Sequence, residues 1–114
     1  MAKKRADLVP GTLEMLILKT LTAEPMHGYG IAKRIQAASE DILQVEEGSL
    51  YPALQRMLLK GWVKAEWAAT ERNRQARYYR LTALGRKQLH AEVEEYRRVT
   101  GAIDRVLATE GGAA

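Results

Sequence analysis

A mainly helical α+β fold, with helices first and a small sheet after them, is what this sequence predicts. Three observations carry that expectation. Apolar residues recur at helical spacing in three successive segments ahead of Gly61; two alternating segments joined by a basic link come next; a heptad-patterned stretch closes the chain. A length of 114 residues allows one domain with a modest core, so a surplus helix points to a partner chain. With 46% hydrophobic and 28% charged residues, the composition is that of an ordinary globular domain, neither disordered nor fibrous. No apolar run reaches membrane-spanning length and the N-terminus lacks a secretory apolar core, which points to the cytoplasm. Cysteine is absent, which removes disulfides and thiolate chemistry and fits a reducing compartment.

Residues 1–8 read as a basic arm carrying Lys3, Lys4 and Arg5, expected to fray. Thr12 to Ala23 follows a helical period, with Leu13, Leu16, Ile17 and Leu21 on one face and Met15 and Leu18 on a second, opposite stripe. A helix apolar nearly all round is covered on both sides, so this one is expected to lie between its own core and a second subunit. Glu24-Pro25 is its stop. Met26 to Gly30 reads as a turn into a second helix reaching about Ser39, with Ile31, Ile35 and Ala38 inward and Lys33, Arg34 and Gln36 outward. His27 and the Gly28/Gly30 pair do not make a metal or phosphate site: no second His stands at ligand spacing, and no strand precedes the glycines. A helix-start role suits them better. Glu40 to Glu47 holds four acids around Ile42, Leu43 and Val45 and reads as a connector with one short strand. Its Glu46 and Glu47 suit the dipole at the start of the next helix, yet they oppose a nearby phosphate.

The third helix is expected to start at Ser49 as N-cap, with Pro52 in the first turn where a missing N–H breaks no bond, and to stop at Gly61. Leu50, Leu54, Met57 and Leu58 share one side of it. Pro52, Gln55 and Arg56 occupy the other, Tyr51 stands at the boundary, and Leu59 points outward without an evident role. Trp62 to Trp67 and Arg77 to Thr82 alternate as strands, with Tyr79, Leu81 and both tryptophans expected in packing. Ala68 to Ala76 links them, long for a hairpin loop, with its tip at Arg72-Asn73-Arg74. From Glu71 to Lys87 there are six basic residues to one acid, a local excess larger than the +4 of the entire chain. From Thr82, a good N-cap, a last helix runs to about Thr109. Its Leu89, Val93, Tyr96, Thr100, Ile103 and Leu107 step by alternating fours and threes, a heptad seam made for another helix. Gly101 inside that seam costs about 1 kcal/mol relative to Ala and marks a point where the helix can kink.

Three helices followed by a basic-tipped hairpin is the order of a winged helix-turn-helix, here in residues 9–82. Residues 83–109 then form a dimerisation helix and 110–114 a tail. An amphipathic helix such as 49–60 is, by itself, more often a plain surface helix than a reader of DNA. The wing behind it shifts the balance, because a helix with an amide, a guanidinium and a phenol on one face suits a major groove.

Three motifs in the same order, His27-Gly28-Tyr29, Gly48-Ser49-Leu50-Tyr51-Pro52-Ala53-Leu54 and Arg77-Tyr78-Tyr79-Arg80-Leu81-Thr82 with Gly85, resemble the PadR family of bacterial transcriptional regulators. The likeness runs from roughly Val9 to Leu89, and the length is similar to the shorter subfamily with a single C-terminal helix. The resemblance implies a dimeric winged-helix repressor, often of detoxification or efflux genes, with the first and last helices at the dimer interface. It also implies that Ser49, Tyr51 and Pro52 open the recognition helix and that Arg72 to Arg77 lie in the wing. Gly30 departs from the family, which often has a larger, commonly acidic residue there. Some relatives hold aromatic effectors between subunits with a Trp on the last helix. Here that helix offers only Tyr96, so a small aromatic effector rests on Tyr96 and the two tryptophans alone.

The expected function is therefore a dimeric, sequence-specific DNA-binding regulator, a repressor on a palindromic operator, using the helix at 49–60 and the wing at 68–77. The candidate DNA-binding residues are Tyr29, Lys33, Ser49, Tyr51, Pro52, Gln55, Arg56, Arg72, Arg74 and Arg77. The candidate dimerisation residues are Met15, Leu18, Leu89, Val93, Tyr96, Thr100, Ile103 and Leu107. The alternative is a winged-helix adaptor that binds protein and keeps its basic wing for solubility. An enzyme is remote: the chain has no Cys, no H-E-x-x-H, no G-x-S-x-G and no P-loop. No cofactor or metal is expected.

Overall fold

One shared apolar core fixes the arrangement of the chain. Ile17 and Leu18, Ile31, the trio Leu50, Leu54 and Met57, and Val63 are its largest fully buried side chains. They come from α1 (Leu13–Thr20), α2 (Gly28–Ala38), α3 (Glu47–Leu59) and β2 (Val63–Ala69). A two-residue strand β1 (Met26–His27), a strand β3 (Gln75–Leu81) and a long helix α4 (Ala83–Leu107) complete the order. The computed structural model describes residues 4–111, so Lys3 of the basic arm lies outside the described residues. The strands form one antiparallel sheet in the order β1-β3-β2.

Helix ends follow local chemistry. His27 caps α2 through its side chain: the Gly30 N–H donates to His27 Nδ1 at 2.9 Å. Thr82 caps α4, its Oγ1 accepting from the Gly85 N–H at 3.0 Å while its own hydroxyl donates to the Gly61 carbonyl at 2.7 Å. Gly61 ends α3 with φ +75, a conformation that a Cβ would strain. Gly85 is required for a different reason: a Cβ there would overlap the Trp62 carbonyl oxygen and lie 2.7 Å from Leu81 Cδ1.

Several expectations change. Glu46, extended at φ −92 and ψ 145, is the N-cap of α3, and Ser49 lies inside the first turn. Pro52 consequently falls in the second turn, where it withholds the N–H that the Gly48 carbonyl would accept. Gly48 is exposed, so solvent can supply that bond. The hairpin strands also run further than expected, through Ala69 and from Gln75, which leaves Thr70 to Arg74 as the loop. The Thr70 N–H donates to the Arg74 carbonyl at 2.7 Å, and Asn73 turns the tip with φ 58. Met26 and His27 are a strand as well as a turn, because β3 offers a free edge for them to pair with, Met26 opposite Tyr79 and His27 opposite Tyr78.

Burial brings further corrections. Ala38 is exposed at the end of α2. Leu18 is 0% exposed, since α1 packs on α2, α3 and also α4 of the same chain. Its second stripe is covered from within, so Leu18 offers no surface to a partner. The described part of the arm is tied at Ala6, which makes a parallel bridge with Leu43, its N–H donating to the Ile42 carbonyl at 2.8 Å. Glu40 and Asp41, with φ 54 and 66, turn the connector so that its extended backbone faces the arm. That single bridge is all that forms of the short strand expected there. Helix α4 runs unbroken through Gly101.

Candidate nucleic-acid interface

The two faces of the β2–β3 hairpin have different fates. In the ladder, Val63 stands opposite Leu81, Ala65 opposite Tyr79, Trp67 opposite Arg77 and Ala69 opposite Gln75. Alternation puts these four pairs on one face. The first two pack on the core. Beyond them the hairpin overhangs the start of α3, and Trp67 emerges 69% exposed, contrary to the packed role expected of it. Trp62, by contrast, does pack against the core, with Lys60 Nζ 4.5 Å above its ring.

Between that overhang and the helices lies a groove of about 520 Å³. Trp67, Arg77, Gln75, Arg72 and Arg74 line its hairpin side; Tyr51 from α3 and Gly28 and Tyr29 from α2 line the other. None of its lining residues is acidic. Arg77 lies over the Tyr79 ring at 5.9 Å from the centroid. An adjoining hollow brings Lys33 beside Tyr29 and Arg72, with Lys33 Nζ 5.4 Å from the Tyr29 ring centroid. Of the six basic residues counted between Glu71 and Lys87, three therefore face this groove. Arg80 sits on the other face of the hairpin, 3.8 Å from Glu66, and Arg86 lines a cleft between α1 and α4.

Tyr51 is held by a feature that sequence reasoning did not find. A Cβ on Gly28 would lie 2.7 Å from Tyr51 Cε1 and 2.8 Å from its hydroxyl oxygen. The absent side chain of Gly28 is thus the seat of the Tyr51 ring, which explains why these two motifs belong together. Burial first, then the negative charge of Glu47 and the neighbouring Tyr79, push the Tyr51 phenol above the ordinary tyrosine range. It remains a protonated donor at neutral pH.

Ser49, Pro52 and Gln55 lie on the exposed side of α3 that continues from Tyr51. Arg56 turns elsewhere: its Nε is 4.0 Å from Glu14 Oε1 on α1, which places the guanidinium on the α1 side of the helix. Leu59 points outward as expected, 79% exposed.

The candidate dimerisation residues separate into three groups. Leu18 is buried, as described. Met15, Leu89 and Val93 line a cleft of about 530 Å³ between α1 and α4 that also includes Tyr96, and Leu89 packs on the core as well. Tyr96, Ile103 and Leu107 are exposed along α4; Thr100 is half-buried, its hydroxyl donating to the Tyr96 carbonyl at 2.7 Å. Val99 and Val106 are exposed alongside them and were missed by the strict heptad count. Of the aromatics considered for an effector, Trp67 lines the hairpin groove and Tyr96 the α1–α4 clefts, while Trp62 packs against the core.

A helix pair presenting one exposed polar helix face beside a basic hairpin defines a winged helix-turn-helix protein of the DNA-binding kind. Known proteins agree. The model of the transcriptional regulator PadR-like family matches residues 17–91. A transcriptional regulator from Clostridium thermocellum superposes with a TM-score of 0.76 at 26% identity, covering 83% of this chain and 92% of that one. A PadR family transcription regulator from Clostridium difficile R20291 gives 0.74 at 29% identity, covering 86% and 100%. An uncharacterised protein of Lysinibacillus sphaericus is 30% identical over 100 residues, 88% of this chain and 92% of that protein. The chain belongs to the PadR-like family of transcriptional regulators and is a DNA-binding regulator. Among the described residues no helix is long and apolar enough to cross a membrane.

Proposed function

We propose that the chain is a dimeric, sequence-specific repressor that binds a palindromic operator in the cytoplasm, through α3 and the wing at 68–77. The observation that carries this reading is the acid-free groove where Tyr29, Tyr51, Arg72, Arg74 and Arg77 converge beside the exposed Ser49, Pro52 and Gln55. In this reading α3 enters a major groove, with Tyr51 and Gln55 at base edges. Arg72 and Arg74 at the wing tip meet phosphates or the neighbouring minor groove, Lys33 and Tyr29 extend the phosphate contacts, and Arg56 supports α3 from the α1 side. Residues 9–82 form the DNA-binding unit and 83–109 the dimerisation helix. The exposed Tyr96, Val99, Ile103, Val106 and Leu107 support the dimer, since nothing within the described chain covers them. A two-fold pairing along α4 would set two copies of α3 about 34 Å apart on one face of the duplex.

The experiment is a selection of duplex fragments by the purified protein, followed by titrations of a selected and a random duplex at several salt concentrations. Replacing Arg72 and Arg74 with Ala weakens both duplexes alike and lowers the log–log salt slope by about 0.9 per lost phosphate contact. Replacing Gln55 with Ala instead narrows the gap between selected and random duplex by roughly 1–3 kcal/mol. Equal affinity for both duplexes in the unmodified protein would favour the adaptor reading. Loss of selectivity in the wing variant, with selectivity kept in the helix variant, would reverse the two roles.

A further inference from the structure

The exposed tryptophan of the wing has no structural task. Trp67 follows Val63 and Ala65 on the inner face of β2, yet the core ends before it is reached, and the exposed side chain lines the groove that Tyr51 also lines. Its ladder partner is Arg77, so the largest apolar side chain of the wing stands beside a cation. We propose that Trp67 and Arg77 together form a seat for one sugar–phosphate strand of DNA, the indole packing on a deoxyribose and the guanidinium pairing with the adjacent phosphate. The proposal rests on the DNA-binding reading above and extends it to the groove between its two elements.

The geometry of the duplex supplies the reason. A helix in the major groove and a wing at the neighbouring minor groove are separated by a single sugar–phosphate strand, and that strand must occupy the space between them. A strand of this kind alternates an apolar sugar face with an anion. The groove wall offers the matching alternation: indole, then guanidinium, with the Tyr51 hydroxyl opposite as a donor and no carboxylate among the lining residues. Contacts of this type carry no base information. Trp67 therefore contributes affinity without selectivity and without a salt dependence, because no counterion is released by an apolar contact. Arg77 contributes affinity with one.

The tests use the whole protein and a selected duplex. Trp67→Ala is expected to leave thermal unfolding almost unchanged, because the side chain is exposed. It should weaken selected and random duplexes by the same factor, roughly tenfold, at an unaltered salt slope. Arg77→Ala should lower the slope by about 0.9. In a Trp62→Phe background Trp67 is the sole indole, and acrylamide should quench it strongly in the free protein and weakly in the complex. A folded Trp67→Ala variant that binds as tightly as the unmodified protein overturns the proposal. So does an indole equally quenched in both states, or a variant that loses selectivity in place of affinity. Failure of the underlying reading looks different: the unmodified protein would then select no duplex at all, and no variant is needed to see it.

Discussion

Substituting Gly28 with Ala separates folding from DNA recognition at the seat of Tyr51. The added Cβ would sit 2.7, 2.8 and 2.9 Å from Tyr51 Cε1, Oη and Cζ, where van der Waals contact begins at about 3.5 Å. The ring must therefore move by roughly 1 Å. It can do so cheaply, because the contacted atoms are the far end of a side chain that is already 45% exposed. Against the packing lost by that swing stands the gain of replacing Gly in the first turn of α2, a few tenths to about 1 kcal/mol. Net stability should stay within about 1 kcal/mol of the unmodified protein. Binding should not be so tolerant. Tyr51 would leave the groove wall, and the loss of one well-placed contact costs roughly 1–3 kcal/mol, a tenfold to hundredfold weaker complex. Thermal unfolding and fluorescence anisotropy with a selected duplex read the two effects separately. A Tyr51→Ala background provides the cycle: once the ring is gone, Gly28→Ala should cost nothing further. An undiminished cost in that background, or normal binding by Gly28→Ala alone, would refute the coupling.

The remaining predictions concern packing, charge and assembly. Gly85→Ala drives a Cβ into the backbone carbonyl of Trp62, which cannot swing aside, and should destabilise the fold by about 3 kcal/mol or more in urea unfolding. Glu92 is pushed above the ordinary carboxylate range, chiefly by burial and also by Glu14, against the pull of the Gln88 hydrogen bond and of Lys60. A carboxyl held high in the fold binds its proton more tightly folded than unfolded, so stability falls as pH rises through the ordinary and then the raised value. Glu92→Gln should therefore raise stability slightly near neutral pH, by well under about 1 kcal/mol given its solvent screening, seen as a small rise in melting temperature that is absent in acid below the ordinary carboxylate range. Ile103→Asp with Val106→Asp should convert the proposed dimer to folded monomer in sedimentation, since both side chains are exposed in the single chain; an unchanged dimer would place the interface elsewhere.

The core was legible because periodicity is insensitive to where an element begins. Leu50, Leu54 and Met57 face inward whether α3 starts at Ser49 or at Glu47, so a misplaced cap did not misplace the core. The same insensitivity hid the cap itself: Ser49 has the right side chain, but Glu46 has the extended backbone that receives the Ser49 and Leu50 N–H groups. Thr82 and Gly61 were readable since each carries its signal in its own chemistry. Strand alternation showed that Trp67 shares a face with Val63, but it holds no information on where along the strand the core stops. The two stripes of α1 correctly signalled cover on both sides. They could not say that α4 of the same chain supplies part of it, because amphipathicity records that a face is covered and not by what.

Apolar packing positions α3 without fixing its angle, because such contacts have little directionality. Three contacts along its length do have direction. Tyr51 is seated on Gly28 of α2 near the start, Arg56 faces Glu14 of α1 in the last turn, and just beyond the end the Gly61 carbonyl accepts from Thr82, the cap of α4. The second and third tie α3 to the two helices that line the α1–α4 clefts. In that corner Glu14 Oε1, apart from its 4.0 Å approach to Arg56, and Glu92 Oε2 are buried without a hydrogen-bond partner among the described residues, and Glu92 feels both Glu14 and Lys60. A change in how α4 packs on α1 would alter the solvation of Glu14 and Glu92, the carboxylates that face Arg56 and Lys60. In the proposed dimer this corner would lie beside the α1–α4 clefts that a second subunit reaches, so the dimer contact and the support of α3 would share residues.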